Sequence, residues 1–150
     1  MEEKSEAVAV DTYAILAMAY GELGKRAEEV LTRVRRGEAV GYLPATVVYE
    51  LCVHWLRGRI PTLKSMEEVV TLVSRYFRVV ELKIDDYVES ARLKVEGDRM
   101  LRESPELVGR ALSFVDSTII WLALKLKVPI VTGDKDLSYV ARRMGAEILW

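Results

Sequence analysis

Short apolar runs alternate along this chain with longer stretches in which apolar residues recur every three or four positions, the mark of strands alternating with helices. Ala7 to Val10 is wholly apolar and predicts a buried strand, after which Asp11 opens a helix carrying Ile15, Leu16, Met18 and Ala19. From Arg26 to Arg36, the residues Ala27, Val30, Leu31 and Val34 share one face, and Gly37 supplies a helix stop. Val40 to Leu43 predicts a second strand. Thr46 is placed to cap a helix through Leu56, which Gly58 and Pro61 end. Leu63 to Tyr76 predicts a helix, Val79 to Leu82 an extended segment, and Asp86 the start of a long helix into the 90s. Leu107 to Leu126 is apolar on nearly every face and predicts a helix sunk in the interior. Lys127 to Val131 predicts a strand, Leu137 to Met144 a helix closed by Gly145, and Glu147 to Trp150 a last short strand.

This alternation predicts an α/β fold with a central, mostly parallel sheet flanked by helices. Ligands in such folds collect at the carboxyl ends of the strands. No repeat, low-complexity tract or Pro/Gly/Ser-rich linker divides the 150 residues, so residues 1–150 are expected to form a single domain. With 51% hydrophobic and 30% charged residues, the chain is neither disordered nor a membrane protein by composition. Its polar, acidic opening lacks the basic patch and apolar run of an export signal, so a cytoplasmic location is expected. A lone cysteine, Cys52, excludes internal disulfides and Cys-rich zinc sites, and core packing is its expected role. The net charge of −1 creates no global field for nucleic acid, although basic residues gather at Lys25 to Arg36 and at Arg57 to Lys64, where solvated faces account for them.

The acidic residues change the picture. Asp11 and Asp134 each follow a predicted strand, which puts them at the carboxyl edge of the sheet, where Asp11 serves equally well as a helix cap. Asp136 directly precedes the Leu137 helix and is expected to cap it. Asp116 sits in the most apolar stretch, with no basic residue within three positions, so a polar shell or a metal ion is needed to offset its desolvation; Ser113 lies one turn earlier on the same face. Glu50 occupies an otherwise apolar helix. Carboxylates sharing one pocket repel by about 4 kcal/mol per close pair at an effective dielectric near 20, so they require divalent cations or abnormal protonation. An all-oxygen set suits magnesium or manganese rather than zinc. His54 shares the face of Glu50, yet no second histidine exists to build a zinc site, and packing is its expected role.

Other enzyme classes recede. The chain has no Gly-Lys-Ser/Thr phosphate loop, no G-x-G-x-x-G turn and no G-x-S-x-G elbow, and no aspartate follows a central strand where a phospho-receiver needs one.

Taken in order, Val8-Ala-Val-Asp11-Thr12, Glu50, Ser113-Phe-Val-Asp116-Ser117 and Val131-Thr132-Gly133-Asp134-Lys135-Asp136-Leu137 resemble the PIN-domain nuclease family over nearly the whole chain. The resemblance implies a PIN-like three-layer fold in which Asp11, Glu50, Asp116 and Asp134 are catalytic and bind Mg2+ or Mn2+, supported by Asp136, Thr132, Ser113 and Thr12. It implies metal-dependent hydrolysis of RNA by in-line attack of water on a phosphodiester. Many small members are the toxins of VapBC-type toxin–antitoxin pairs, so an antitoxin partner and a homodimer are implied as well. Maturation of ribosomal RNA, or RNA binding with little catalysis, are the other roles the family offers. The charged segment Glu96 to Arg110 departs from the smallest members and is expected to form a substrate-side or interface loop.

Overall fold

The structure, a computed structural model, describes residues 6–150. The acidic opening that lacks the pattern of an export signal, residues 1–5, lies outside the described residues.

Twelve elements follow in chain order: β1 (Glu6–Val10), α1 (Thr12–Tyr20), α2 (Lys25–Arg35), β2 (Ala39–Pro44), α3 (Ala45–Leu56), α4 (Met66–Tyr76), β3 (Phe77–Val80), α5 (Ile84–Arg102), α6 (Phe114–Leu126), β4 (Ile130–Val131), α7 (Lys135–Arg143) and β5 (Ile148–Leu149). The strands form one all-parallel sheet in the order β3-β2-β1-β4-β5. Successive residues of a strand point to opposite faces, and Val8, Ala9 and Val10 are all 0% exposed, so helices cover both faces of the sheet. This is the α/β three-layer arrangement expected from the sequence. Helix α6 lies against β1, β2 and β4, and α5 packs on α6 from outside.

From β1 the chain steps to β2 and β3 on one side, then returns to build β4 and β5 on the other. The junction of β1 with β4 is therefore the point where strand order reverses, and a crevice opens at the carboxyl ends of these two strands. Ala9 and Val10 pair with Ile130 and Val131, and the Asp11 amide donates to the Val131 carbonyl at 3.4 Å, so Asp11 leaves β1 beside the segment that carries Asp134.

Four expectations need correction. Helix α6 starts at Phe114, not Leu107: Pro105 and the positive φ of Gly109 break the chain there, and α5 captures the backbone of Leu112. Lys94 Nζ donates to the Leu112 carbonyl at 2.7 Å, while the Leu112 amide donates to Asp98 at 2.8 Å. Thr46 does not cap α3, which begins one residue earlier behind Pro44. Its hydroxyl instead meets that of Thr118 at 2.7 Å; since Thr118 already donates to the Val115 carbonyl, Thr46 is the donor. Asp136 does not cap α7; Asp134 does. The charged segment beginning at Glu96 is helical as far as Arg102, which leaves residues 103–113 as the connection. At the remaining boundaries β3 lies two residues before the predicted segment, and α4 starts at Met66 behind its cap Ser65.

Helix α5 meets the start of α6 through a residue without a side chain. A Cβ on Gly97 would collide with buried Leu112 and come within 3.1 Å of Val140. Gly97→Ala is expected to destabilise the protein by about 1–2 kcal/mol in urea denaturation, because overpacking a filled core outweighs the roughly 1 kcal/mol that alanine adds to a helix. A stabilised variant would show that the two helices separate freely.

Candidate active site

The crevice at the β1 and β4 ends is a cleft of about 300 Å³, whose walls include Asp11, Glu50, Asp116 and Asp134 together with Thr12, Ser113 and His54. Among the described residues, no lysine or arginine lines it. Four elements deliver the carboxylates: the end of β1, the middle of α3, the first turn of α6 and the loop after β4. The Thr46–Thr118 hydrogen bond ties the helix bearing Glu50 to the helix bearing Asp116.

Each aspartate is also bound to backbone, which sets its orientation. Asp11 caps α1 by accepting from the Ala14 amide at 2.9 Å, and its second oxygen accepts from the Thr132 hydroxyl at 2.6 Å. That hydroxyl accepts in turn from the Asp134 amide at 3.0 Å, so Thr132, wholly buried, joins the two strand ends. Asp134 caps α7 through the Leu137 amide at 2.8 Å. Ser113 and Asp116 form a capping box: the serine hydroxyl accepts from the Asp116 amide at 3.0 Å, and the carboxylate accepts from the Ser113 amide at 3.4 Å. Asp116 thus has a local structural reason that the overlong helix expected from the sequence had concealed.

These bonds do not offset burial. Desolvation pushes Asp11 up from 3.8 to about 8, against the opposing hydrogen bonds from Thr132 and Ala14 and with the help of the charges on Asp116 and Asp134. Asp116 is raised to about 7, first by burial and then by the neighbouring charge of Asp134, while its bonds to Ser113 pull the other way. His54 is held below its ordinary value by burial, an effect that Glu50 opposes and that Arg59 and Arg57 reinforce. Arg59 lies 3.1 Å from His54 Nδ1. Since a guanidinium can only donate, Nδ1 accepts, and the neutral ring carries its proton on Nε2.

Two of the supporting residues stand differently. The Thr12 hydroxyl is buried at the cleft wall without a hydrogen-bond partner among the described residues. Asp136 is not among the residues lining the cleft; its carboxylate accepts from Arg110 at 3.0 Å, with the other oxygen buried and unpaired. His54, set aside on sequence grounds, stands in the cleft wall, and its spacing of four from Glu50 was the signal for it. Cys52 is half-buried against the core, as expected.

Among the described residues, no three of the His, Cys, Asp and Glu side chains converge as a ready-made metal cage. The donor set nonetheless fits a hard cation in kind: carboxylate and hydroxyl oxygens, no competing cation, and an excess of negative charge that burial makes costly. Mg2+ matches such an open arrangement, since it keeps several waters and takes only one or two carboxylates directly.

The model of one protein family, described as PIN domain, matches residues 8–143. No curated protein matches the chain. Among solved structures, PAE2754 from Pyrobaculum aerophilum superposes with a TM-score of 0.60 at 19% identity, over 96% of this chain and 84% of that one. VapC20 of Mycobacterium tuberculosis, a toxin that cleaves the sarcin-ricin loop, gives 0.60 at 20% identity, over 87% and 92%. VapBC2 from Rickettsia felis, bound to a DNA fragment from its promoter, gives 0.60 at 12% identity, over 95% and 96%. At these identities the likeness is one of fold.

Proposed function

The chain belongs to the PIN-domain family, a family of nucleases, and from that premise we propose that it is a Mg2+- or Mn2+-dependent endoribonuclease, the toxin of a VapBC-type pair. The observation that carries the reading is the meeting of Asp11, Glu50, Asp116 and Asp134 at one cleft, with two of these carboxylates driven far above their ordinary range. A structural site gains nothing from such crowding, whereas a cation-binding one needs it. The toxin assignment draws on the fold shared with VapC20 and VapBC2 over nearly the whole chain, and the chain is taken to work as one domain in the cytoplasm.

The four acids would hold the cation, which when bound supplies Lewis-acid stabilisation of charge on the phosphoryl group and on the attacking and leaving oxygens. Asp11 is the rigid member, fixed by Ala14 and Thr132 and out of contact with bulk water. The capping box holds Asp116, so its carboxylate does not depend on the cation for its position. Neutral His54 contributes a hydrogen-bond donor without a charge that would compete with the cation. Because the cleft is anionic, an antitoxin that silences it would present a cationic side chain there, and the toxin is taken to act as a homodimer.

The purified chain is expected to cleave a mixed pool of single-stranded RNA with magnesium or manganese and to stop when chelator is added. RNA left intact under all metal conditions would remove the nuclease reading.

No helix among the described residues is long and apolar enough to cross a membrane.

A further inference from the structure

Beside the acidic cleft lies a larger groove of about 530 Å³ in which the cations Lys135, Arg142 and Arg143 outnumber a single carboxylate, Glu106. One wall is a single face of α7, presenting Lys135, Ser138, Tyr139 and Arg142; the other comes from the connection after α5 and from Trp150. The two hollows share a border. Thr132, which bonds Asp11, and Gly133 line the groove, and Lys135 directly follows Asp134. Trp150 in the groove meets Tyr13 of the cleft edge to face, with ring centroids 5.5 Å apart. That contact depends on Gly133, where a Cβ would sit 2.6 Å from the indole and 2.8 Å from the Tyr13 ring.

The three cations of α7 that line the groove differ in how far they are engaged. Arg143 is engaged by Glu103 at 2.7 Å and by the Tyr139 hydroxyl at 3.2 Å. Lys135 and Arg142 are exposed and make no ion pair among the described residues. Seven residues of helix separate them, a distance of about 10 Å along one face. At roughly 3.4 Å per nucleotide this accommodates about three units of a stacked strand. Exposed cations at this spacing, with tyrosine and tryptophan between and beside them, are what a single strand needs: charges for phosphates about three nucleotides apart and flat apolar faces for the bases between.

We propose that the groove along α7 is the track of the RNA strand flanking the scissile phosphate, with Lys135 and Arg142 binding its phosphates and Trp150 offering a stacking face. The proposal rests on the nuclease reading of the cleft and adds to it where the strand runs, and hence why a polymer is bound by a cleft that is itself anionic. Substrate is then held mainly outside the acidic centre, by cations on the neighbouring wall.

The test is binding of a fluorescent twelve-nucleotide RNA to the Asp116→Asn protein in chelator, by anisotropy over a range of salt. Replacing both Lys135 and Arg142 by Ser is expected to weaken binding at least tenfold at low salt and to reduce the slope of log K against log salt by about 1.4, the value for two single-strand phosphate contacts. Arg92→Ser removes an exposed arginine of α5 that pairs with Glu89 at 3.8 Å, and is expected to leave both quantities unchanged. An unchanged slope in the double variant, or an equal loss in the Arg92 variant, overturns the proposal. Its fate is separate from that of the cleft. Binding that depends on Lys135 and Arg142 without any cleavage by the unmutated protein would sustain the groove and sink the nuclease. Cleavage with binding indifferent to both cations would do the reverse.

Discussion

Asp116→Asn is expected to lower metal-dependent RNA cleavage by about 10³-fold and, in the same protein, to raise the melting temperature measured in chelator. The first effect follows from removing one of the charges that would hold the cation opposite the phosphate, an electrostatic contribution of the size seen when preorganised transition-state stabilisation is lost. The second follows from the cost of that charge. Burial and Asp134 raise the Asp116 carboxyl to about 7, so ionising it at neutral pH works against the fold. A neutral amide keeps an oxygen that can accept from the Ser113 amide and drops the repulsion. A gain on the order of 2 kcal/mol, or about 5 °C for a chain of this size, is the expected scale. Opposite signs for activity and stability are the signature of a residue retained for function. Cleavage equal to that of the unmutated protein sinks the catalytic role, and a lower melting temperature in chelator would make the carboxylate chiefly a structural anchor of α6.

The second large effect is a dependence of stability on pH that metal reverses. Asp11 and Asp116 are raised to about 8 and about 7 in the folded chain, whereas in the unfolded chain both titrate near 3.8. Between those values the native state holds protons that the unfolded state has already released, so stability falls as pH rises. The contribution is fully present below about pH 4 and is lost on passing through the folded values. Melting in chelator is therefore expected to drop from pH 5 to pH 8.5 by several kcal/mol in equivalent stability. Millimolar Mn2+ should level or invert this trend, because a cation binds the ionised acids; at a hundredfold excess over its dissociation constant it adds about 2.7 kcal/mol. A flat profile in chelator would contradict the crowding of charge at the cleft, and one that manganese leaves unaltered would contradict cation binding there.

Much of the fold was legible because its signals are local. The apolar run Ala7 to Val10 and the spacing of Ala27, Val30, Leu31 and Val34 report burial directly, and all four of those helix residues are in the core. Strand-end positions marked Asp11 and Asp134 in the same way. The misplaced start of α6 shows where the local signal ends. Leu107 and Leu112 are buried, as their hydrophobicity requires, but they are buried from a turn held by Lys94 and Asp98 of a different helix. Ser113 and Asp116 carried the spacing of a capping box, and the apolar residues before them hid it.

Periodicity thus suffices for the order of the elements and for a mostly parallel sheet, since each depends on residues a few positions apart, whereas the grouping of the four acids, Glu50 above all, rests on the family resemblance. Only the tertiary structure brings β4 beside β1 and so lets Thr132 bind Asp11 across 121 positions of sequence. It alone raises Asp11 and Asp116, turns His54 toward the cleft wall and lays the exposed Lys135 and Arg142 of α7 beside an acidic hollow. The physical reason is that desolvation and electrostatic coupling depend on distance through the folded molecule, which spacing along the chain does not encode.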